Sequence, residues 1–330
     1  MIDRIMLYDV IYALTARGGR EAVLFGDCAP LAHEAFVRSL AGDGFPELWF
    51  ELPCAGEPWF DLHVLVTPDQ LDPNTPFAPE TCGNCPDAFA WFAAQDQGVR
   101  QLALSWDVSS GDIEQPAIQL LTGNGDVGVT SAFLSAVGRE DAAAAFRSFS
   151  ERKPEGWNAC YAGVFPQRSD PFLRVECIPI PQLQRVYAED GALLEAHLQQ
   201  VGFTALGDTL IPRTQLMART PFRFELQFNI TPNGCSDDTL SASVYFDPPN
   251  EEEPTKCFDP CGEAGMLMQQ AESWGLADSR WRLLADTAFS NRVERGNDCL
   301  NIYCSPAFLK LRWKDGEPYD AKTYLVAGTA

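Results

Sequence analysis

Basic residues are scarce in this chain. Lys and Arg number 24 against 46 Asp and Glu, a formal charge of −22 over 330 residues, and a summed field of that sign repels a phosphate backbone or an anionic membrane surface. Neither nucleic acid nor a membrane is expected as a partner. Histidine is rarer still, with three copies, and His33 and His197 fall in helical patterns rather than in a ligand spacing. There is no H-E-x-x-H, no G-x-x-x-x-G-K phosphate loop, no G-x-S-x-G elbow and no D-D-x-x-D cluster. Those absences set aside the zinc proteases, P-loop enzymes, α/β-hydrolases and metal-dependent isoprenoid synthases. No apolar run approaches the roughly 18 to 20 residues of a membrane span. The stretch from Ile5 to Ala13 is interrupted by Asp9, and Asp3 sits beside Arg4 where a signal peptide is cleanly basic. A cytoplasmic protein is expected.

Cysteine is not scarce, but its eleven copies are odd in number and scattered. A chain this long builds a core without disulfide staples, so reduced thiols are expected. Two pairs stand out, Cys82-Gly83-Asn84-Cys85 and Cys257-x-x-x-Cys261. Together they could present four thiolates to zinc, and Cys82 with Cys85 at a helix start could instead act as a redox pair.

The strongest positive signal is Arg223-x-Glu225-x-Gln227-x-Asn229, alternating with Phe222, Phe224, Leu226, Phe228 and Ile230. A period of two with one apolar and one functionalised face is a strand buried against a core on one side. Its other face meets water, a ligand or a polar lumen. Asn233-Gly234 then turns the chain into Leu240 to Phe246, with Ser241, Ser243 and Tyr245 on the polar side.

Four more segments repeat this plan. Glu47 to Leu52 returns as Phe60 to Val66, with Trp49, Glu51, Asp61 and His63 on the polar side. Gln101 to Thr122 turns near Ser109-Ser110-Gly111-Asp112 and carries Gln101, Ser105, Asp107 and Gln119. Asn158 to Ile178 turns at Gln167 to Pro171 and sets Arg174 and Glu176 against Leu173, Val175 and Cys177. Phe308 to Trp313 joins Ala321 to Val326 across Asp315-Gly316, with Lys310, Arg312, Lys322 and Tyr324 opposite Leu309, Leu311 and Trp313. Helical signals separate these hairpins at Leu31 to Leu40, Pro86 to Ala94, Ser131 to Ser150 with Ser131 as N-cap, and Ala192 to Val201. Gly262 to Asn291 reads as two helices broken near Gly275.

Ten antiparallel strands with apolar faces under outer helices point their polar faces inward, and closing the sheet removes its edges. The expected fold is an α/β protein of the α+β type, a ten-stranded antiparallel barrel of five hairpins surrounded by helices, as one domain over 1–330. The alternative is two α+β domains, 1–153 and 154–330, divided at Pro154-Glu155-Gly156-Trp157.

Within such a lumen Arg174, Arg223, Lys310, Arg312 and Lys322 form a basic set able to hold an anionic group, since alternate strand positions place two cations on one face about 7 Å apart. Equally they could neutralise Glu51, Asp61, Asp107, Glu176 and Glu225 in a buried network. Trp49, Tyr161, Tyr245 and Tyr324 offer π faces to a cation, and Glu51, Asp107 and Glu225 are candidate bases. Gly123-Asn124-Gly125-Asp126-Val127-Gly128 spells G-x-G-x-x-G, but no βαβ alternation surrounds it, so it reads as a tight connection into a helix.

Five hairpins alternating with helices, a polar inward face and the Lys322-x-Tyr324 pair resemble the aromatic prenyltransferases of the ABBA or PT-barrel family. The likeness covers most of the chain through short motifs. It implies a prenyl diphosphate held by the strand lysines and arginines, an allylic cation shielded by Tyr245 and Tyr324, and a carboxylate engaging an aromatic or peptide side-chain acceptor. No cofactor is expected; magnesium beside the diphosphate and zinc at the cysteine pairs are the alternatives. A non-catalytic binder of a small molecule or peptide on the same barrel is the competing function. The sequence departs from the resemblance in having only eight tyrosines.

Overall fold

The computed structural model describes residues 21–26, 47–68, 86–95, 99–108, 116–123, 125–165, 173–246, 258–295 and 298–329. The apolar segment Ile5 to Ala13, the helix expected over Leu31 to Leu40, and Cys82, Cys85 and Cys257 lie outside them.

The five expected hairpins are present. Strands β1 (Glu47–Pro53) and β2 (Asp61–Val66) form the first, β3 (Val99–Trp106) and β4 (Ala117–Thr122) the second, β5 (Trp157–Val164) and β6 (Leu173–Pro179) the third, and β7 (Arg223–Ile230) and β8 (Ser236–Tyr245) the fourth. After β9 (Phe289–Arg295), β10 (Asp298–Lys314) and β11 (Glu317–Thr329) form the fifth. The sheet runs β11-β1-β2-β3-β4-β5-β6-β7-β8-β10, and β10 pairs with β11 to close the ring. All ten strands of the ring pair antiparallel, including β1 with β11, where Glu51 stands opposite Tyr324. Strands from both sides of Pro154 share this one sheet, since β4 pairs with β5.

The alternation fixes which face goes where. Phe224, Leu226, Phe228 and Ile230 on β7 are at most 1% exposed and pack outward with Leu240, Ala242, Val244, Leu309, Leu311 and Trp313 into the main apolar core, beneath the helices. Burying one such side chain is worth about 1.5–3 kcal/mol. A second, smaller apolar cluster of Phe308, Tyr324, Val326, Trp49 and Tyr245 lies on the opposite face of the sheet, in the lumen.

Among the described residues, helices connect the hairpins at one end of the barrel, and the turns of the first, fourth and fifth hairpins lie at the other. The helices among those residues are α1 (Glu21–Phe25), α2 (Pro86–Ala93), α3 (Val127–Ala136), α4 (Glu140–Arg152), α5 (Pro181–Glu189), α6 (Gly191–Gln200), α7 (Leu210–Ala218) and α8 (Glu263–Ser273), with a 3-10 helix over Ser279–Thr287. None is long and apolar enough to cross a membrane. The G-x-G-x-x-G segment is the expected tight connection: Asp126 caps α3 through a bond from the Val129 amide at 2.9 Å, and the helices that follow lead to an antiparallel strand.

Three expectations about elements are corrected. The helix read over Ser131 to Ser150 is two helices, broken around Gly138, whose φ of 75° no other residue type adopts as readily; Ser131 lies inside α3 and the cap is Asp126. The segment after Gly275 forms a 3-10 helix and then β9, because residues 289–295 find a partner in the first half of β10. Helices α5 and α7 were not anticipated; α5 begins with Pro181 at its first position, where the missing N–H costs nothing.

The turn at Asp315-Gly316 matches its sequence signal. Asp315 and Gly316 both have positive φ, 51° and 81°, the pattern of a type I′ hairpin turn. Gly316 also abuts the backbone of Gly207, where an added Cβ would lie 2.7 Å from the amide nitrogen. Behind β5, the Trp157 indole donates to Tyr187 Oη at 2.6 Å, and that hydroxyl meets half-buried His197 Nδ1 at 2.6 Å, tying α5 and α6 to the barrel. Cys54, Cys160, Cys177, Cys235, Cys261 and Cys304 are free thiols.

Candidate functional site

The lumen holds a cavity of about 480 Å³ that lies toward the helix-connected end. Ten of the ring strands could contribute, and the inward positions that do so follow strand parity. Trp49 and His63 come from the first hairpin, Gln101 and Gln119 from the second, Tyr161 and Glu176 from the third, Arg223, Glu225, Gln227 and Tyr245 from the fourth, and Phe308, Lys310 and Tyr324 from the fifth.

One wall is aromatic. Tyr245, Phe308 and Tyr324 occupy one row across β8, β10 and β11. Their rings stack with centroids 4.3 Å apart for Tyr245 and Phe308 and 3.8 Å for Phe308 and Tyr324. Trp49 completes the wall, tilted against Phe308 at 5.6 Å and held by its indole N–H, which donates to Glu47 at 2.6 Å. A register shift between Pro306 and Phe308 interrupts β10 just before the row begins, the kind of bulge that re-aims a strand.

Below the aromatic row lies a charged relay. Lys310 donates to Tyr324 Oη at 2.8 Å and to Gln227 Oε1 at 3.4 Å. Tyr324 in turn donates to Glu51, which also receives Lys322. His63 Nε2 stands 3.4 Å from the same carboxylate, and its Nδ1 lies 2.5 Å from Ser105 Oγ. Burial alone would raise the Glu51 pKa, but Lys322, His63 and Lys310 outweigh it and hold the carboxyl well below its usual range. Lys310 goes the other way: burial, aided by Arg174 and Arg312, pulls its ammonium from 10.5 down to about 8 despite Glu51 and Glu176. Tyr324 and Tyr245 are pushed well above 10 by burial first and by neighbouring carboxylates second.

A second carboxylate group sits on β6 and β7. Arg223 reaches Glu225 Oε1 at 2.7 Å and lays its guanidinium over the Tyr245 ring at 4.0 Å. Gln227 donates to Glu176 Oε2 at 3.1 Å. Burial and the adjoining Glu176 raise Glu225 well above the ordinary carboxyl range, against the pull of Arg223.

The expected basic set therefore divides by level along the barrel. Arg223, the first residue of β7, and Lys310 line the cavity. The other three lie nearer the hairpin turns and are engaged there. Arg174 donates to Asn229 at 3.2 Å and covers the Phe165 ring at 4.4 Å. Arg312 pairs with Asp320 at 3.0 Å, and Lys322 lies on Glu51, 3.9 Å from Asp61 and over the Trp59 ring. Parity gave all five the inward face, but cross-strand register decides the level. Of the expected bases, Glu225 lines the cavity, Glu51 lies behind Tyr324, and Asp107 falls just past the end of β3, outside the lining. Tyr161 lines it, beside Gly163, where a Cβ would come within 3.2 Å of the Tyr161 hydroxyl.

Lining residues absent from the expected set include Glu47, Cys160, Gln227, Glu176 and Phe308. Phe308 was legible in principle, since it shares parity with Lys310, but an aromatic at a strand start reads as core. Among the described residues no three His, Cys, Asp or Glu side chains group as a metal site, and Cys261 is exposed.

No family model and no curated protein matches the chain. Solved structures do. A 5-dimethylallyltryptophan synthase from Streptomyces coelicolor matches with a TM-score of 0.54 at 12% identity, over 97% of this chain and 95% of that one. The prenyltransferase PriB, in its apo form, matches with a TM-score of 0.52 at 12% identity, over 98% and 96%. The fold is the PT-barrel of the ABBA-type aromatic prenyltransferases.

Proposed function

We propose that the lumen transfers an allylic prenyl group from its diphosphate to an electron-rich aromatic acceptor, free or on a peptide side chain. The observation that carries this reading is the stacked wall of Tyr245, Phe308 and Tyr324 beside two cavity-facing cations, Arg223 and Lys310, on one volume. Each part answers a requirement of the reaction. The diphosphate departs with the C–O electron pair and needs N–H donors at its oxygens, which Lys310 and the half-exposed Arg223 supply. The allylic cation left behind is stabilised by π faces and must be kept from water. The acceptor ring then forms the C–C bond and loses its proton. Tyr324 takes that proton as it passes its own to Glu51, which is ionised and already accepts the hydroxyl.

The two structural neighbours named above, a dimethylallyltryptophan synthase and a prenyltransferase, act on the same general chemistry by their names, and this supports the assignment. The cytoplasm suits a chain whose described cysteines are free.

One observation favours the competing reading of a non-catalytic binder: Arg223 already pairs with Glu225 and Lys310 with Tyr324, so neither cation stands idle. Turnover separates the two. Purified protein is incubated with dimethylallyl or geranyl diphosphate and a panel of phenols, indoles and aromatic peptides, with magnesium and in parallel with EDTA. Prenylated product by mass spectrometry is expected. Diphosphate binding without product in every condition leaves the binder, and no diphosphate binding at all refutes both the transferase and its two cation assignments.

A further inference from the structure

The cavity of a protein that receives a diphosphate should be rich in cations, yet carboxylates outnumber them on its lining, with Glu47, Glu176 and Glu225 against Arg223 and Lys310. The excess is concentrated at one place. Glu225 is 1% exposed, and although its Oε1 is met by Arg223, its Oε2 is buried with no hydrogen-bond donor among the described residues. Glu176, 8% exposed and on the neighbouring strand, accepts a bond from the Gln227 amide and receives no lysine or arginine in a direct ion pair among those described. The lysine on the cavity lining, Lys310, is directed to Tyr324 and to the Gln227 oxygen. Two carboxyl groups thus face the same volume with a donor missing between them.

Leaving a buried acceptor unmatched costs roughly 1–3 kcal/mol, more for a charged group, so the gap calls for a partner. The elements packed around it offer Cys160, Glu176, Arg223, Gln227, Tyr245 and Lys310; the Tyr245 hydroxyl and the Glu176 carboxyl lie close enough to influence Glu225, but none donates to Oε2 with hydrogen-bond geometry. A proton can fill it in the empty barrel, consistent with the raised pKa of Glu225. A guest with its own N–H donors fills it better. A primary ammonium carries three donors, no acceptor and a positive charge, which suits two carboxylates at the foot of an aromatic wall.

We infer that Glu176 and Glu225 form a subsite for the ammonium group of the acceptor, and that the acceptor is an arylalkylamine whose ring lies along Tyr245 and Phe308. This rests on the transfer reading above for the word acceptor, but the subsite is a binding claim and is tested without any prenyl donor. It divides the lumen by charge: the diphosphate meets Lys310 and the Arg223 guanidinium, and the amine meets the carboxyl pair.

The test is calorimetric titration of the full chain with 2-phenylethylamine and with its uncharged counterpart N-acetyl-2-phenylethylamine. The amine should bind at least about tenfold more tightly than the amide. Glu225→Gln and Glu176→Gln, both near-isosteric, should each weaken the amine by about tenfold or more while leaving the amide within about twofold. Near-UV circular dichroism verifies that the variants keep their packing, and the wild-type amine-to-amide ratio decides the question without them if either fails to fold. Equal affinity for the two probes, no binding of the amine, or amine binding unaltered in both variants would overturn the inference. Pyrophosphate titrated into the same protein reports on the donor side separately, so a failed amine subsite with intact pyrophosphate binding leaves the transfer reading in place.

Discussion

Lys310→Met offers a test of the lumen that needs no substrate. Lys310 is 7% exposed, and its pKa of about 8 in the folded protein compares with 10.5 for the free side chain. A lysine with a depressed folded pKa binds fewer protons folded than unfolded. Its contribution to stability is therefore unfavourable below about pH 8 and fades as pH rises from there to 10.5. At about 1.4 kcal/mol per pKa unit, the stability of wild type relative to the methionine variant should rise by about 3 kcal/mol across that window. Tyr245, Tyr324 and the buried thiols, held above their unfolded values, lose stability in both proteins as pH rises through that window, so the difference between the two proteins isolates Lys310. Urea unfolding of both proteins at several pH values between about 7 and 10.5 measures the difference. A stability gap between the two that stays flat with pH, or one that moves in favour of the variant as pH rises, would show that Lys310 is not a desolvated cation. Pyrophosphate affinity of the wild type should weaken over the same range, as the ammonium that meets it loses its proton.

Other substitutions probe separate parts of the molecule. Phe308→Ala removes the middle ring between Tyr245 and Tyr324 and should cost about 3–5 kcal/mol in urea unfolding, a loss under about 1 kcal/mol meaning that the stack is not tightly packed. Tyr324→Phe deletes the hydroxyl joining Lys310 to Glu51 and should lower the transfer rate by about 10²-fold or more in single-turnover assays, with pyrophosphate affinity changed less than about threefold. Gly316→Ala forces a side chain into a left-handed turn residue 2.7 Å from the Gly207 amide and should destabilise the protein by more than about 1 kcal/mol. An unchanged unfolding midpoint there would mean that the β10–β11 turn yields without cost.

The hairpins were legible because a strand with one buried face writes its orientation into every second residue. Arg223 to Asn229 against Phe224 to Ile230 leaves no other register without placing phenylalanines in the lumen. The division of the basic set was not legible, since parity says which way Arg174 and Lys310 point and is silent on how far along the barrel each lies. That distance depends on pairings such as Arg174 with Asn229 and Lys310 with Ser243, made between segments far apart in sequence. Strand β9 escaped for a related reason: its partner is the early part of β10, and residues 289–295 carry no alternation that would announce it. Phe308 was hidden by its chemistry, because an aromatic side chain at an inward position resembles core until the fold shows that the inward face has its own apolar cluster.

Joining β1 to β11 sets an order of events for the nascent chain. Glu51 is made long before Lys322 and Tyr324, yet the three meet across the seam that shuts the ring. Until the last strand leaves the ribosome, β1 and β10 each present a row of unpaired amides and carbonyls, the arrangement most prone to pairing with a stranger. The same residues that furnish the relay thus also bolt the first strand of the ring to its last, so a chain stopped short of β11 lacks both its chemistry and its closure.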